Sequence, residues 1–147
     1  MQSAGTYFRD YGEYHKATGN KLTHLIGIPL IILGLLGLLN RISFYNWDIP
    51  LINLSPALLV WLLGNGFYVK LHVILGLSMY MSTALLYLAG ALMPVSVLWT
   101  FFILGWIAQF FGHMVYEKKS PAFLKNLTHL MIGPIFIQNY FLRIYRY

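Results

Sequence analysis

His113 and Glu117 stand four residues apart, and Gln109 precedes His113 by the same step. On a helix this stripe carries an amide, an imidazole and a carboxylate on one face, one turn from each other. An imidazole beside a carboxylate is a unit of proton transfer or of metal ligation. A basic, turn-rich stretch then leads to His129. There is no cysteine, so a disulfide framework, a thiolate metal site and a cysteine nucleophile are all excluded. Histidines without cysteine suit zinc, iron, copper or nickel, and imidazole with a carboxylate and open positions is typical of non-haem iron(II). Gly-x-Ser-x-Gly, a phosphate-binding glycine loop and His-Glu-x-x-His are absent.

Composition decides where such residues must sit. The chain has 147 residues, 59% hydrophobic and only 10% charged, against roughly a quarter charged in soluble domains. This is the composition of one membrane-embedded helical domain, 1–147, rather than of a soluble globule. The net charge of +6 comes from basic residues scattered between apolar runs, which reads as Lys and Arg facing anionic lipid and not as nucleic-acid binding. No cleavable signal segment is expected.

The elements follow from the apolar runs. Residues 6–17, TYFRDYGEYHKA, place Tyr7, Tyr11 and Tyr14 at helical spacing, an amphipathic helix expected at the headgroup level within an interfacial segment 1–20. Thr18 or Asn20 is the expected cap of the next helix. Spans are expected over about 21–40, over a short run 55–64 ended by the Asn65-Gly66 turn signal, over 71–92 and over 95–116. The segment 123–142 is apolar but carries Lys125, His129, Pro134 and Asn139, so a kinked or re-entrant helix is expected. The fold class is therefore all-α: an integral membrane bundle of about four transmembrane helices, an N-terminal amphipathic helix and a C-terminal kinked helix.

Lys and Arg bias puts the N-terminus, Lys70, Lys118, Lys119 and Lys125 on the cytoplasmic side and Arg41 with Asp48 on the other. All five histidines then fall at the cytoplasmic boundary: His15 before the first span, His24 and His72 opening spans, His113 closing one and His129 opening the last segment. An internal echo adds to this, since HLIGIP and HLMIGP each set a proline five residues after a histidine, His24 to Pro29 and His129 to Pro134. Each residue also has a plain structural reading. His113 with Glu117 is a helix-end ion pair, His15 and His24 are interfacial side chains, and His72, with no carboxylate or proline near it, is structural. Asn20 and Gln109 either hold an imidazole's second N–H or pack helices.

Three stretches together resemble a known family: Tyr14-His15 with Asn20-Lys21-x-x-His24-x-x-Gly-x-Pro29, then Gly105-Trp106-Ile107-x-Gln109-Phe110-x-Gly112-His113-x-x-x-Glu117-x-x-x-Pro121-Ala122, then Gly133-Pro134. The family is one of small multi-span membrane proteins that includes a fungal endoplasmic-reticulum 2-hydroxy-fatty-acid dioxygenase. The resemblance implies Fe(II) as cofactor and molecular oxygen as co-substrate, with cleavage of the C1–C2 bond of a 2-hydroxy fatty acid. It maps the family's histidines onto His15, His24 and His113, with His129 as a fourth candidate ligand. Glu117 is then a ligand, an acceptor for an imidazole N–H or a proton acceptor, and Lys21 or Lys118 draws in the substrate carboxylate. The expected partners are a lipid substrate and a bacterial inner or endoplasmic-reticulum membrane. The competing readings are a membrane zinc hydrolase, with Glu117 as base, and a non-enzymatic lipid-binding protein.

Overall fold

Ser3 starts the first helix, its hydroxyl accepting the Thr6 N–H at 3.3 Å. In the computed structural model, which describes residues 3–46, 53–121, 123 and 126–146, this helix is α1, Ala4–Tyr14. The sequence readings on Asp48, Ala122 and Lys125 fall outside the described residues. There follow α2 (Thr18–Leu39), a two-residue antiparallel pairing of Tyr45–Asn46 with Asn53–Leu54, α3 (Pro56–Leu71), α4 (Val73–Leu92) and α5 (Val95–Phe111). A π-helical segment, Gly112–Glu117, continues α5, and α6 (Thr128–Leu142) ends the bundle with Pro134 inside it.

The all-helical membrane bundle is realised. Among the described residues, three helices are long and apolar enough to cross a membrane: Thr18–Leu39, Val73–Leu92 and Val95–Glu117. The fourth apolar helix, α3, has 16 residues and so is about 24 Å long, short of the ~30 Å hydrocarbon core. α2 and α5 pack closely through small residues. A Cβ at Gly27 would lie 2.9 Å from the Gly105 carbonyl oxygen, and one at Gly105 would lie 2.8 Å from the Gly27 carbonyl oxygen. Small residues let backbones approach where lipid gives no hydrophobic drive between helices.

Three local expectations are corrected. Asn65-Gly66 does not turn: α3 runs through it because the Asn65 amide donates to the Trp61 carbonyl at 2.8 Å, one turn back, and to Thr83 Oγ1 at 3.1 Å. The break comes at His72 instead, where the backbone is extended and the ring Nδ1 accepts the Leu75 N–H at 3.2 Å, capping α4. Neither Thr18 nor Asn20 caps α2. The cap position is Ala17, whose N–H donates to the Glu117 carboxylate at 2.8 Å. The tyrosine stripe of α1 is not solely a headgroup anchor either, since Tyr11 is buried with Phe8 against Ile132, Ile135 and Phe136 of α6.

At the end of the bundle away from the histidines, Ser55 and Tyr87 both donate to the buried Asn40 Oδ1, at 3.1 and 2.9 Å. This ties α2, α3 and α4 together and leaves the opposite end to the chemistry.

Candidate metal centre

The site is assembled where three elements meet. His15 is the residue that ends α1, His24 lies in the second turn of α2, and His113 is carried by the π-helical segment after α5. Their rings form a nearly equilateral triangle with centroids 4.7, 4.8 and 4.8 Å apart, each pair close to perpendicular. All three are buried, and one ring nitrogen from each falls within 4.8 Å of the others.

Hydrogen bonds to carbonyl oxygens fix two of the tautomers. His15 Nδ1 lies 2.7 Å from the Tyr11 carbonyl and His24 Nδ1 lies 2.8 Å from the Asn20 carbonyl. A carbonyl only accepts, so each Nδ1 carries the proton and each neutral ring turns a bare Nε2 lone pair inward. Those two Nε2 atoms are 3.2 Å apart. Two lone pairs at that distance repel unless a cation lies between them. Ligand nitrogens bound about 2.1 Å from one ion lie roughly 3–3.4 Å apart, so the donor set fits a metal ion.

Burial, and next the neighbouring His24, hold the His15 imidazole far below its ordinary range, at about 2, although the Tyr11 carbonyl pulls the other way. Because this folded value lies below the unfolded 6.5, the unfolded chain binds the extra proton between them. Metal-free protein is therefore expected to hold His15's contribution fully above pH ~6.5 and to lose about 1.4 kcal/mol per pH unit below it. Thermal unfolding of the metal-free protein at pH 7.5 and 5.5 measures this, and an unchanged midpoint would contradict it.

Glu117 closes the π-helical segment, and such segments mark functional sites. Four residues in a π turn come round to nearly the same face as four in an α turn, so Glu117 stays on the side of His113. It crosses to the start of α2, accepting from the Ala17 N–H at 2.8 Å and from the Asn20 amide at 3.4 Å. Asn20 in turn holds His24 through its own carbonyl. The carboxylate thus reaches the centre through Asn20, and it favours the positive end of α2. Glu117→Ala is expected to weaken metal binding about 10–100-fold, measured by chelator competition.

His129 is placed differently from the other three. Its Nε2 lies 3.0 Å from Asp10 Oδ2 on α1, and its buried Nδ1 has no partner among the described residues. It sits near the site, edge-on to Tyr14 and tilted against Tyr11, whose ring stacks at 3.8 Å on His15. Sequence reasoning placed Tyr11 only in an interfacial stripe and gave Asp10 no role, so neither was expected at the site. The only signal for Tyr11 was its four-residue step to His15, and nothing local ties Asp10 to a histidine 119 positions away. Among the described residues Gln109 makes no bond to an imidazole: its Nε2 is buried without a partner, as is Asn20 Oδ1. Lys118 is exposed, and Lys21 holds its ammonium 5.5 Å from the centre of the Tyr140 ring. His72, edge-on to Tyr145 at 5.0 Å, belongs to the helix cap described above.

A cavity of about 490 Å³ extends from the three histidines into the bundle. Gln109, His129 and Tyr11 line it near the rings, and Ile28, Ile32 and Trp61 line it further in. Imidazole nitrogens at one end and hydrocarbon walls along the rest would suit an amphiphile with a metal-binding head and an apolar tail.

The 2-hydroxy-palmitic acid dioxygenase Mpo1-like family matches residues 1–144. The chain is also 34% identical over 139 residues to the 2-hydroxy-palmitic acid dioxygenase MPO1 of Saccharomyces cerevisiae, covering 90% of this chain and 75% of that protein. No solved structure matches it significantly. The family match runs through every element that carries a histidine of the triad, and the chain belongs to the 2-hydroxy-palmitic acid dioxygenase Mpo1-like family.

Proposed function

We propose that the protein is an iron(II)-dependent dioxygenase that cleaves the C1–C2 bond of 2-hydroxy fatty acids at the cytoplasmic face of a membrane. The observation that carries this reading is the pair of Nε2 lone pairs facing each other at 3.2 Å at the head of an apolar cavity. The yeast relative's named activity supplies the substrate class.

In this reading His15, His24 and His113 hold the ion. His129 stays outside the ligand set because Asp10 engages its Nε2. Iron(II), when bound, supplies the redox chemistry with dioxygen. The chain's own residues do the rest. The carbonyls of Tyr11 and Asn20 keep His15 and His24 in the tautomer that presents Nε2. Glu117 holds Asn20, and the cavity walls keep the acyl chain out of water and its polar head at the rings. With carbon dioxide and water as co-products the reaction balances, since a 2-hydroxy acid and dioxygen give the acid one carbon shorter with four electrons passing to oxygen. No external reductant is needed. Lys118 and Lys119 beside the site favour approach of a carboxylate from the cytoplasmic side.

The test is anaerobic purification in detergent with elemental analysis, then iron(II) titration while oxygen uptake is followed with a long-chain 2-hydroxy fatty acid. Near-stoichiometric iron with substrate-dependent uptake is the expected result. Tightly bound zinc without uptake would replace the reading with a metallohydrolase, and folded protein that binds no metal would leave a lipid-binding role.

A further inference from the structure

We infer that Trp61 forms the floor of the acyl channel and sets the longest chain the site accepts. This rests on the α-oxidase reading and adds to it a specificity-determining residue. The α2 wall of the cavity is a single helical stripe: His24, Ile28, Ile31, Ile32, Leu35 and Leu36. From His24 to Leu36 the helix climbs about 18 Å. The α3 wall runs the other way, with Tyr68 near the histidine end and Trp61 opposite Leu36.

Beyond Leu36 the space is filled. Leu36, Ala57 and Tyr87 form a buried cluster, and Ile32, Leu39 and Trp61 pack on it. Trp61 is held in place on several sides. Its indole N–H donates to Thr83 Oγ1 at 3.0 Å, its ring lies 4.4 Å from Tyr80 and 5.9 Å from Tyr87, and its carbonyl accepts the Asn65 amide at 2.8 Å. A side chain fixed this way acts as a stop rather than a flexible filler.

The Thr83 hydroxyl beside Trp61 does not read the substrate. Thr83 Oγ1 donates to the Met79 carbonyl at 2.7 Å and accepts from Trp61 and Asn65, so the group is satisfied internally. The channel therefore takes an unsubstituted hydrocarbon tail. Tetrahedral carbons bonded at about 1.5 Å advance about 1.25 Å each along an extended chain, so about 18 Å takes about 14 carbons beyond C2. The fitting acid has about sixteen carbons in all.

The experiment uses the iron-loaded protein in detergent, kept anaerobic, with saturated 2-hydroxy acids of twelve to twenty-four carbons. Displacement of a fluorescent fatty acid reads Kd, and oxygen uptake is then measured on the same series. Affinity is expected to tighten about fourfold per methylene up to about sixteen carbons and then to stop improving or weaken. Trp61→Ala is expected to move that break to longer acids, and Ile32→Phe, which narrows the channel nearer the histidines, to move it to shorter ones. Opposite shifts cannot both come from misfolding, and Ile32→Phe carries the test if Trp61→Ala does not fold. A series without a break, or a break that neither variant moves, overturns the inference. A break that moves while no acid is consumed keeps the floor and removes the α-oxidase reading alone.

Discussion

Replacing His113 with alanine is expected to abolish both metal binding and oxygen uptake while leaving the helices in place. Loss of an outer hydrogen-bonding partner of a ligand costs about 10–100-fold in metal affinity, so loss of one of three ligands should exceed about a hundredfold. The ring is buried in the π-helical segment, whose Lys118 N–H closes onto the His113 carbonyl. That closure is a backbone bond and survives the substitution. Elemental analysis after dialysis and far-UV circular dichroism measure the two outcomes separately. Full metal content in the variant would remove His113 from the ligand set. Loss of helical signal would give it a structural role instead.

Gly76→Val is expected to have the opposite signature, failing to fold at a position that supplies no candidate ligand. Gly76 lies just after the His72 break, where α3 and α4 turn back against each other. A Cβ there would meet Val69 N and Cα at 2.5 Å and the Tyr68 carbonyl carbon at 2.6 Å. All three are backbone atoms, so no side chain can swing aside. α3 and α4 would have to separate, exposing Leu75 and Met79 of the core around Tyr68. A cost of at least about 3 kcal/mol is expected, at the upper end of the usual overpacking range. The measurement is monodisperse yield in detergent and thermal midpoint against wild type. A variant that folds and unfolds like wild type would show that the α3–α4 turn has slack that its packing does not suggest.

These two variants separate what the histidines do from what the glycine does, and they also mark how much of the protein was legible in its sequence. The helices were, because long apolar runs of spanning length dictate them without reference to anything distant. The triad was legible as far as His15, His24 and His113 by resemblance, since the paired motifs around them carry it. The role of Glu117 was not. Its four-residue step from His113 puts it on that side of the segment but says nothing of the Ala17 N–H, 100 positions away, from which its carboxylate accepts. Asn65-Gly66 reads as a turn from local propensity, yet Thr83 and the Trp61 carbonyl satisfy the Asn65 amide within a continuing helix.

Apolar run length and motif were enough for the membrane class, the number of helical elements to within one short span, and which histidines sit at their ends. Folding alone brings His129 to Asp10 and two Nε2 atoms to 3.2 Å, and opens an apolar cavity at those rings. Periodicity fixes which face of a helix is apolar, because it depends on neighbours three or four residues away. Which atoms meet across the bundle depends on how closely the glycines let α2 and α5 approach and on where α3 breaks at His72, and those are properties of packed pairs rather than of any one segment.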